Sequence, residues 1–145
     1  MPSEKRLIID IGTNSVLALL AKVNGEKLSV ISDQKATTRL GEGLASSGRL
    51  SEQAMRRTVD AIARFTLGTK YDKAFALGTE ALRVALNAHE FKDQLKQATG
   101  LDLQIISGKK EAELSFLGAI YNLPLKKDDI LLVDVGGGST EVVCA

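Results

Sequence analysis

The chain has 145 residues, of which 44% are hydrophobic and 26% are charged. This composition excludes a disordered chain, and the length fits one globular domain or one lobe of a larger protein. A net charge of +1, with 4% aromatic residues and no tryptophan, argues against nucleic-acid and membrane partners.

His89 and Cys144 are the only residues of their types, so a histidine-rich metal site and an internal disulfide are excluded. The N-terminal segment lacks the pattern of a signal peptide, and no apolar run is long enough to span a membrane. We therefore expect a cytoplasmic protein.

The first third of the chain predicts three antiparallel strands followed by a loop. Gly12 to Ser15 forms the first turn, and Asn24 with Gly25 forms the second, which has the sequence typical of a hairpin. Residues 39–43 are expected to form a surface loop near the sheet edge. The three strands are predicted at 7–11, 16–23 and 28–31.

The middle of the chain predicts helices that alternate with strands. Ser51 is the expected N-cap of a helix that ends at Gly68. The expected buried face of that helix comprises Met55, Val59, Ile62 and Thr66. A strand at 74–77 and a short helix at 80–86 follow. Asn87 and Glu90 have capping-box spacing before a helix that ends at Gly100 and whose buried face is expected to be Phe91, Leu95 and Ala98.

The last third predicts a strand at 103–106, a helix starting at Ser107 and ending before Pro124, and a final hairpin. The helix carries Leu114, Leu117 and Tyr121 on one face. The hairpin pairs 130–135 with 141–144 around three consecutive glycines. Strands alternating with helices in this way are typical of an α/β fold.

Residues 7–15 resemble residues 131–139, because each is an apolar strand that ends in Asp-x-Gly and a turn of small residues. This similarity predicts a duplicated unit. We expect a first lobe at 1–125 and the start of a second lobe at 126–145.

The first of these turns is a candidate phosphate site. Backbone N–H groups and hydroxyls there can surround an anion, since the small side chains allow close approach, and Asp10 could orient a metal-bound water. An ordinary hairpin turn is the alternative. The candidate residues are Gly12, Thr13, Asn14 and Ser15.

The second turn predicts phosphate binding more strongly, since three glycines carry an entropic cost that a simple turn does not require. Asp134 and Glu141 flank the turn and could both reach one Mg²⁺. A flexible connector between lobes is the alternative. The candidate phosphate ligands are Gly136, Gly137, Gly138, Ser139 and Thr140.

Two strand-to-helix junctions offer further candidates. Glu111 could be a general base for a water, or a carboxylate that merely suits the helix dipole. Arg83 could clamp phosphate oxygens, or be a surface cation.

Five stretches of the chain, taken together, resemble the exopolyphosphatase/guanosine pentaphosphate phosphohydrolase family (Ppx/GppA). The stretches containing Thr79-Glu80-Ala81-Leu82-Arg83 and Ser107-Gly108 with Glu111-Ala112 make the resemblance specific. The five stretches lie at 9–15, 39–44, 78–83, 105–112 and 133–141.

The resemblance implies a ribonuclease-H-like lobe with a mixed sheet, the superfold of actin, sugar kinases and chaperone ATPases. It implies Mg²⁺-dependent removal of terminal phosphate from inorganic polyphosphate or guanosine pentaphosphate. In the matching positions Glu111 is the catalytic base, Arg83 contacts phosphate, and Asp134 and Glu141 are associated with the metal.

Two features depart from the family. Lys110 stands where members often carry a second glutamate, and members normally continue well beyond this length. We therefore expect a fragment that is inactive or impaired alone, with its last hairpin docked on its own lobe or paired in a homodimer. A non-catalytic phosphate-binding module and a kinase of the same superfold are the alternative functions.

Overall fold

The computed structural model describes residues 3–121, 123 and 130–144. It has seven strands and five helices within these residues. Their bounds are β1 Glu4–Ile11, β2 Ser15–Asn24, β3 Lys27–Thr37, α1 Leu44–Ser47, α2 Glu52–Thr66, β4 Lys73–Gly78, α3 Glu80–Val84, α4 Ala88–Thr99, β5 Leu103–Ile105, α5 Gly108–Ile120, β6 Leu131–Val135 and β7 Thr140–Cys144.

The first five strands form one mixed sheet in the order β3-β2-β1-β4-β5. β2 pairs antiparallel with both β1 and β3, whereas β4 pairs parallel with both β1 and β5. The mixed sheet with helices confirms the predicted α/β class. β1 is the central strand. The residues that follow it therefore lie in the middle of the sheet, at the C-terminal ends of the parallel strands β1 and β4.

One face of the sheet packs against α2 and α4. Leu7, Ile9 and Ile11 alternate along β1 and are fully buried there, as the period of a strand requires. Of the predicted helix faces, Met55, Val59, Ile62, Phe91 and Leu95 are buried. Thr66 is only half-buried and Ala98 is exposed, while Phe65 is an additional core residue.

The third strand is longer than the predicted 28–31 and extends to Thr37. Its polar second half pairs with β2 through to Ser15, because an edge strand needs hydrogen bonds from one neighbour only and can leave its side chains in solvent. The loop predicted at 39–43 is present, with Arg39, Glu42 and Gly43 exposed, but it does not lie wholly on the surface. Leu40 has no exposed area, and a short helix, α1, follows this loop.

The helix caps agree with the sequence at Ser51, whose hydroxyl accepts from the Ala54 N–H at 3.2 Å. The capping box predicted at Asn87 is wrong. The Asn87 side chain makes no cap hydrogen bond, and instead its Oδ1 accepts from Leu50 N at 2.8 Å while its Nδ2 donates to Leu50 O at 3.0 Å. The Asn87 side chain is thus engaged in a buried tertiary contact and is not available to cap α4.

The last hairpin, β6–β7, forms its own two-stranded sheet beside α5. Helix α5 has no buried residue among those described, and its C-terminal Tyr121 hydroxyl donates to Glu26 O and accepts from Leu28 N. The predicted boundary at 125/126 and the predicted role of Pro124 lie outside the described residues. Within the described part of the chain, no helix is both long and apolar enough to cross a bilayer.

Candidate active site

The two similar sequence stretches adopt the same backbone geometry. In the first turn Gly12 N donates to Ser15 O at 3.0 Å, and in the second Gly136 N donates to Ser139 O at 2.9 Å. The strand registers also correspond, since β1 and β2 pair up to Ile11 with Val16, and β6 and β7 pair up to Val135 with Thr140. The duplication seen in the sequence is thus also present in the backbone.

These two turns, here called loop 1 (residues 12–15) and loop 2 (residues 136–139), touch each other. A Cβ atom on Gly138 would lie 2.6 Å from Thr13 Oγ1, and one on Gly137 would lie 3.0 Å from Asn14 Cβ. Such distances leave no room for a side chain, so glycine at these positions permits the close approach of the loops.

Loop 1 is hydrogen-bonded to residues 39–41, which belong to the segment predicted to be a surface loop. Arg39 N and Gly41 N donate to the carbonyls of Asn14 and Thr13, both at 2.9 Å. Arg39 has a positive φ of 50°, an uncommon conformation for a residue with a side chain. A Cβ on Gly41 would clash with Thr13 Cγ2. This support was missed because hydrogen bonds between distant backbone groups leave no pattern in the sequence.

A cavity of about 520 Å³ opens where the loops meet. Four carboxylates line it, those of Asp10, Glu111, Asp134 and Glu141. The structure therefore brings together all four acidic residues singled out in the sequence. The loop residues that line the cavity are Gly12, Thr13, Gly136, Gly137, Gly138 and Ser139. The predicted phosphate ligands Asn14, Ser15 and Thr140 lie in or next to the loops but outside the lining.

Asp10 is a half-buried carboxylate of this cavity. Burial raises the pKa of Asp10, and the nearby negative charges of Glu111 and Asp134 raise it further. Among the described residues no hydrogen bond reaches the Asp10 carboxylate. Partial desolvation next to other negative charges disfavours the ionised carboxylate, so a cation in this cavity would relieve it.

Asp134 and Glu141 lie directly opposite each other in the β6–β7 ladder. The Ser115 hydroxyl donates to Asp134 Oδ2 at 2.7 Å and so connects α5 to the hairpin. Ser115 was missed in the sequence, although it follows Glu111 by one helical turn. The i,i+4 spacing that places both on one face could have indicated it.

Glu111 enters the cavity from the first turn of α5. Ser107 caps this helix by accepting from the Lys110 N–H at 3.2 Å, which fixes the start of the helix next to the end of β5. Lys110 itself pairs with Glu113 at 3.3 Å on the exposed side. The positive charge of Lys110, which stands where family members often carry a glutamate, is therefore paired with the Glu113 carboxylate.

Arg83 does not line the cavity but lies behind Glu111. Its Nη1 donates to Glu111 Oε2 at 2.6 Å and to the Ile106 carbonyl at 3.0 Å. Its Nη2 donates to Glu80 Oε2 at 2.7 Å. The Arg83 and Glu111 side chains are each 18% exposed, so this ion pair is shielded from solvent. Glu80 is a participant that the sequence did not single out, although its i,i+3 spacing from Arg83 is a recognisable signal.

The oxygen donors of the cavity suit a hard divalent cation. Carboxylates are the ligands of Mg²⁺, which commonly takes one or two from the protein and completes its shell with waters and phosphate oxygens. The described residues contain no group of three acidic, histidine or cysteine side chains able to hold one ion together. The site therefore fits a cation shared with a phosphate ligand better than one enclosed by protein.

Comparison with known proteins shows the family of the chain. The model of the Ppx/GppA phosphatase family matches residues 19–145. Exopolyphosphatase 1 of Mycobacterium tuberculosis is 31% identical over 139 residues, which is 93% of this chain and 40% of that protein. The guanosine-5'-triphosphate,3'-diphosphate pyrophosphatase of Photobacterium profundum is 33% identical over 138 residues, again 93% of this chain but 28% of that protein.

Solved structures show the same lobe. The PPX-GPPA enzyme of Aquifex aeolicus superimposes with a TM-score of 0.87 at 33% identity, over 99% of this chain and 49% of that one. The five-stranded mixed sheet is accordingly that of an actin-like α/β lobe. The chain spans about two fifths of the length of the exopolyphosphatase it matches.

Proposed function

The chain belongs to the Ppx/GppA phosphatase family, and we propose that it bears the phosphate loops and the general base of a Mg²⁺-dependent phosphohydrolase. The proposed substrates are inorganic polyphosphate and guanosine pentaphosphate. One observation carries the proposal: two loops of equivalent geometry meet at a cavity lined by Asp10, Glu111, Asp134 and Glu141.

The loops bind the terminal phosphoryl group. Backbone N–H groups of loop 1 and loop 2, with the hydroxyls of Thr13 and Ser139, surround its oxygens. Amide groups held in place before the reaction stabilise the charge that develops in the transition state without having to reorganise. The glycines of loop 2 let the phosphate approach the backbone.

Glu111 orients the attacking water and accepts its proton. The water oxygen forms a bond to the terminal phosphorus while the bond from that phosphorus to its bridging oxygen breaks. The products are orthophosphate and a chain shorter by one phosphate. Arg83, donating to Glu111 at 2.6 Å, holds the carboxylate in the orientation that this step requires.

Phosphatases of this family are generally metal-dependent, and we propose Mg²⁺ as the metal here. Asp134 and Glu141, which lie opposite each other in the β6–β7 ladder, would hold it in the cavity, and Asp10 would orient a water bound to it. When bound, the ion supplies positive charge that offsets the charge of the phosphates. The partly buried carboxylate of Asp10, whose pKa is raised by desolvation and by the neighbouring negative charges, supports this assignment.

Phosphate release tests the proposal. Because the chain is expected to be impaired alone, we expect slow Mg²⁺-dependent release from long-chain polyphosphate or guanosine pentaphosphate, and a further loss on the order of 100-fold or more in Glu111→Gln. Glu113→Gln is the matched control, because Glu113 lies on the same helix but pairs with Lys110 outside the cavity, and its rate should equal that of the unchanged chain. Equal rates in Glu111→Gln and the unchanged chain would refute the assignment of the base.

A second candidate function is phosphate binding without hydrolysis, combined with self-association. It is favoured by the apolar residues that the hairpin leaves in solvent, among them Leu131 at 64% and Val135 at 74% exposure. Binding of inorganic triphosphate with no phosphate release under any metal condition would support it over the first.

A further inference from the structure

The hydrogen bonds of Arg83 limit what its guanidinium can do for a substrate. An arginine side chain has five N–H donors. Within the described residues four of them are engaged, by Glu80 at Nε and Nη2 and by Glu111 and the Ile106 carbonyl at Nη1. A single N–H on Nη2 remains.

A bidentate pair with a phosphate needs two parallel N–H donors from one edge of the guanidinium. The edge formed by Nε and Nη2 is occupied by one oxygen of Glu80, at 3.2 and 2.7 Å. Arg83 can therefore offer this edge to a phosphate only after Glu80 has released it.

Glu80 lies close to loop 2. It begins α3 directly after β4, and a Cβ on Gly138 would lie 3.3 Å from Glu80 Cγ, so loop 2 passes close to its side chain. The Glu80 side chain is 30% exposed. Its carboxylate thus belongs to a partly shielded network in which two acids share one arginine.

We propose that Glu80 is a positioning residue which, by occupying the Nε and Nη2 edge of Arg83, keeps that arginine on Glu111 and withholds it from substrate phosphate. The inference rests on the proposed phosphohydrolase function and adds to it a residue that sets substrate affinity. Glu80 competes with the incoming phosphate for the same donors, and it also adds a negative charge that repels a polyanion.

Binding of inorganic triphosphate, measured by titration calorimetry at fixed salt and Mg²⁺, tests this directly. Glu80→Gln should bind triphosphate about three- to tenfold more tightly, since a neutral amide competes less well for the guanidinium. Glu52→Gln is the control, because it removes the same charge from an exposed i,i+4 ion pair with Arg56, and its affinity should not change.

The double variant Glu80→Gln/Arg83→Gln separates an effect through Arg83 from an effect of charge alone. We expect the gain to disappear when Arg83 is absent. A gain of equal size in the Arg83→Gln background would overturn the proposal, as would unchanged or weaker binding by Glu80→Gln. Glu80→Ala should reproduce the gain and serves as the second variant if the glutamine variant does not fold.

Steady-state kinetics provide an independent readout. In an active enzyme Glu80→Gln should lower KM by the same factor as the dissociation constant without raising kcat. A purely structural role for Glu80 would change the melting temperature but leave KM unchanged. If neither the unchanged chain nor any variant releases phosphate, hydrolysis by this chain fails and phosphate binding without hydrolysis is supported, while the triphosphate titration still decides the role of Glu80.

Discussion

At the scale of single residues, the Asp10 carboxylate lowers the stability of the folded chain while it contributes to the candidate site. It follows Ile9 at the end of the central strand, where its backbone is fixed by pairing on both sides. Its carboxyl is desolvated and faces Glu111 and Asp134, so its pKa is raised. Functional sites often retain such unfavourable groups, and their removal is a recognised route to greater stability.

We predict that Asp10→Asn raises the free energy of unfolding at pH 7 by about 1 kcal/mol. An acid with a raised pKa in the folded state binds its proton more readily there than in the unfolded chain. Its favourable contribution is therefore present below the ordinary pKa and is lost as pH rises through the raised value. The difference between variant and unchanged chain should shrink toward pH 4.

Urea denaturation at pH 4 and pH 7 measures this difference. Asp33→Asn is the control, since Asp33 is exposed on β3 and its removal should leave stability unchanged. A variant less stable than the unchanged chain at pH 7 would show that Asp10 has a favourable partner in the folded state.

At the scale of elements, Asn87 connects two helices. It precedes α4, and its side chain makes a pair of hydrogen bonds with the backbone of Leu50, just before α2. Both residues are buried. A buried amide paired with both backbone groups of one residue orders the two helix starts relative to each other, which a local cap cannot do.

We predict that Asn87→Ala lowers the free energy of unfolding by about 3 kcal/mol, because it leaves the buried N–H and C=O of Leu50 without partners. Chemical denaturation provides the measurement. Gln97→Ala on the exposed face of α4 is the matched control, with an expected change below about 0.5 kcal/mol. A small loss in Asn87→Ala would indicate that water replaces the amide.

At the scale of the whole molecule, the two sheets differ in how much apolar surface they bury. The five-stranded sheet encloses a continuous core on the side of α2 and α4. On the hairpin, Leu131, Val133, Val135 and Val142 are all more than half exposed. Exposed apolar residues on strands that are paired on one side only favour association with another chain.

We predict that this chain forms a homodimer through the β6–β7 hairpin. Sedimentation velocity should show a concentration-dependent shift from monomer to dimer. Val133→Lys/Val142→Lys should abolish the shift, whereas the same pair of changes at the exposed positions Thr37 and Gln34 on β3 should not. A monomer at all concentrations would contradict the prediction.

Much of this protein could be predicted from local patterns in its sequence. A short apolar run located β1, helical periodicity located α2, and the repeated Asp-x-Gly stretches identified two equivalent loops. The stretches at 78–83 and 105–112 made the resemblance to the family specific. These signals are local, because a period or a turn depends on neighbouring residues only. The four acidic residues were found in this way, and their roles as base and metal ligands stay predictions.

The tertiary structure alone decided how these parts meet. The sequence could not show that the segment at 38–41 lies beneath loop 1, that Leu50 takes the amide of Asn87, or that Glu80 and Glu111 share Arg83. Each of these contacts joins residues that are brought together by the packing of the sheet and helices. Each also differs from a local prediction, which was a surface loop at 39–43, a helix cap at Asn87 and a surface cation at Arg83. Long-range contacts prevail there because burial strengthens a satisfied hydrogen bond and penalises an unsatisfied one.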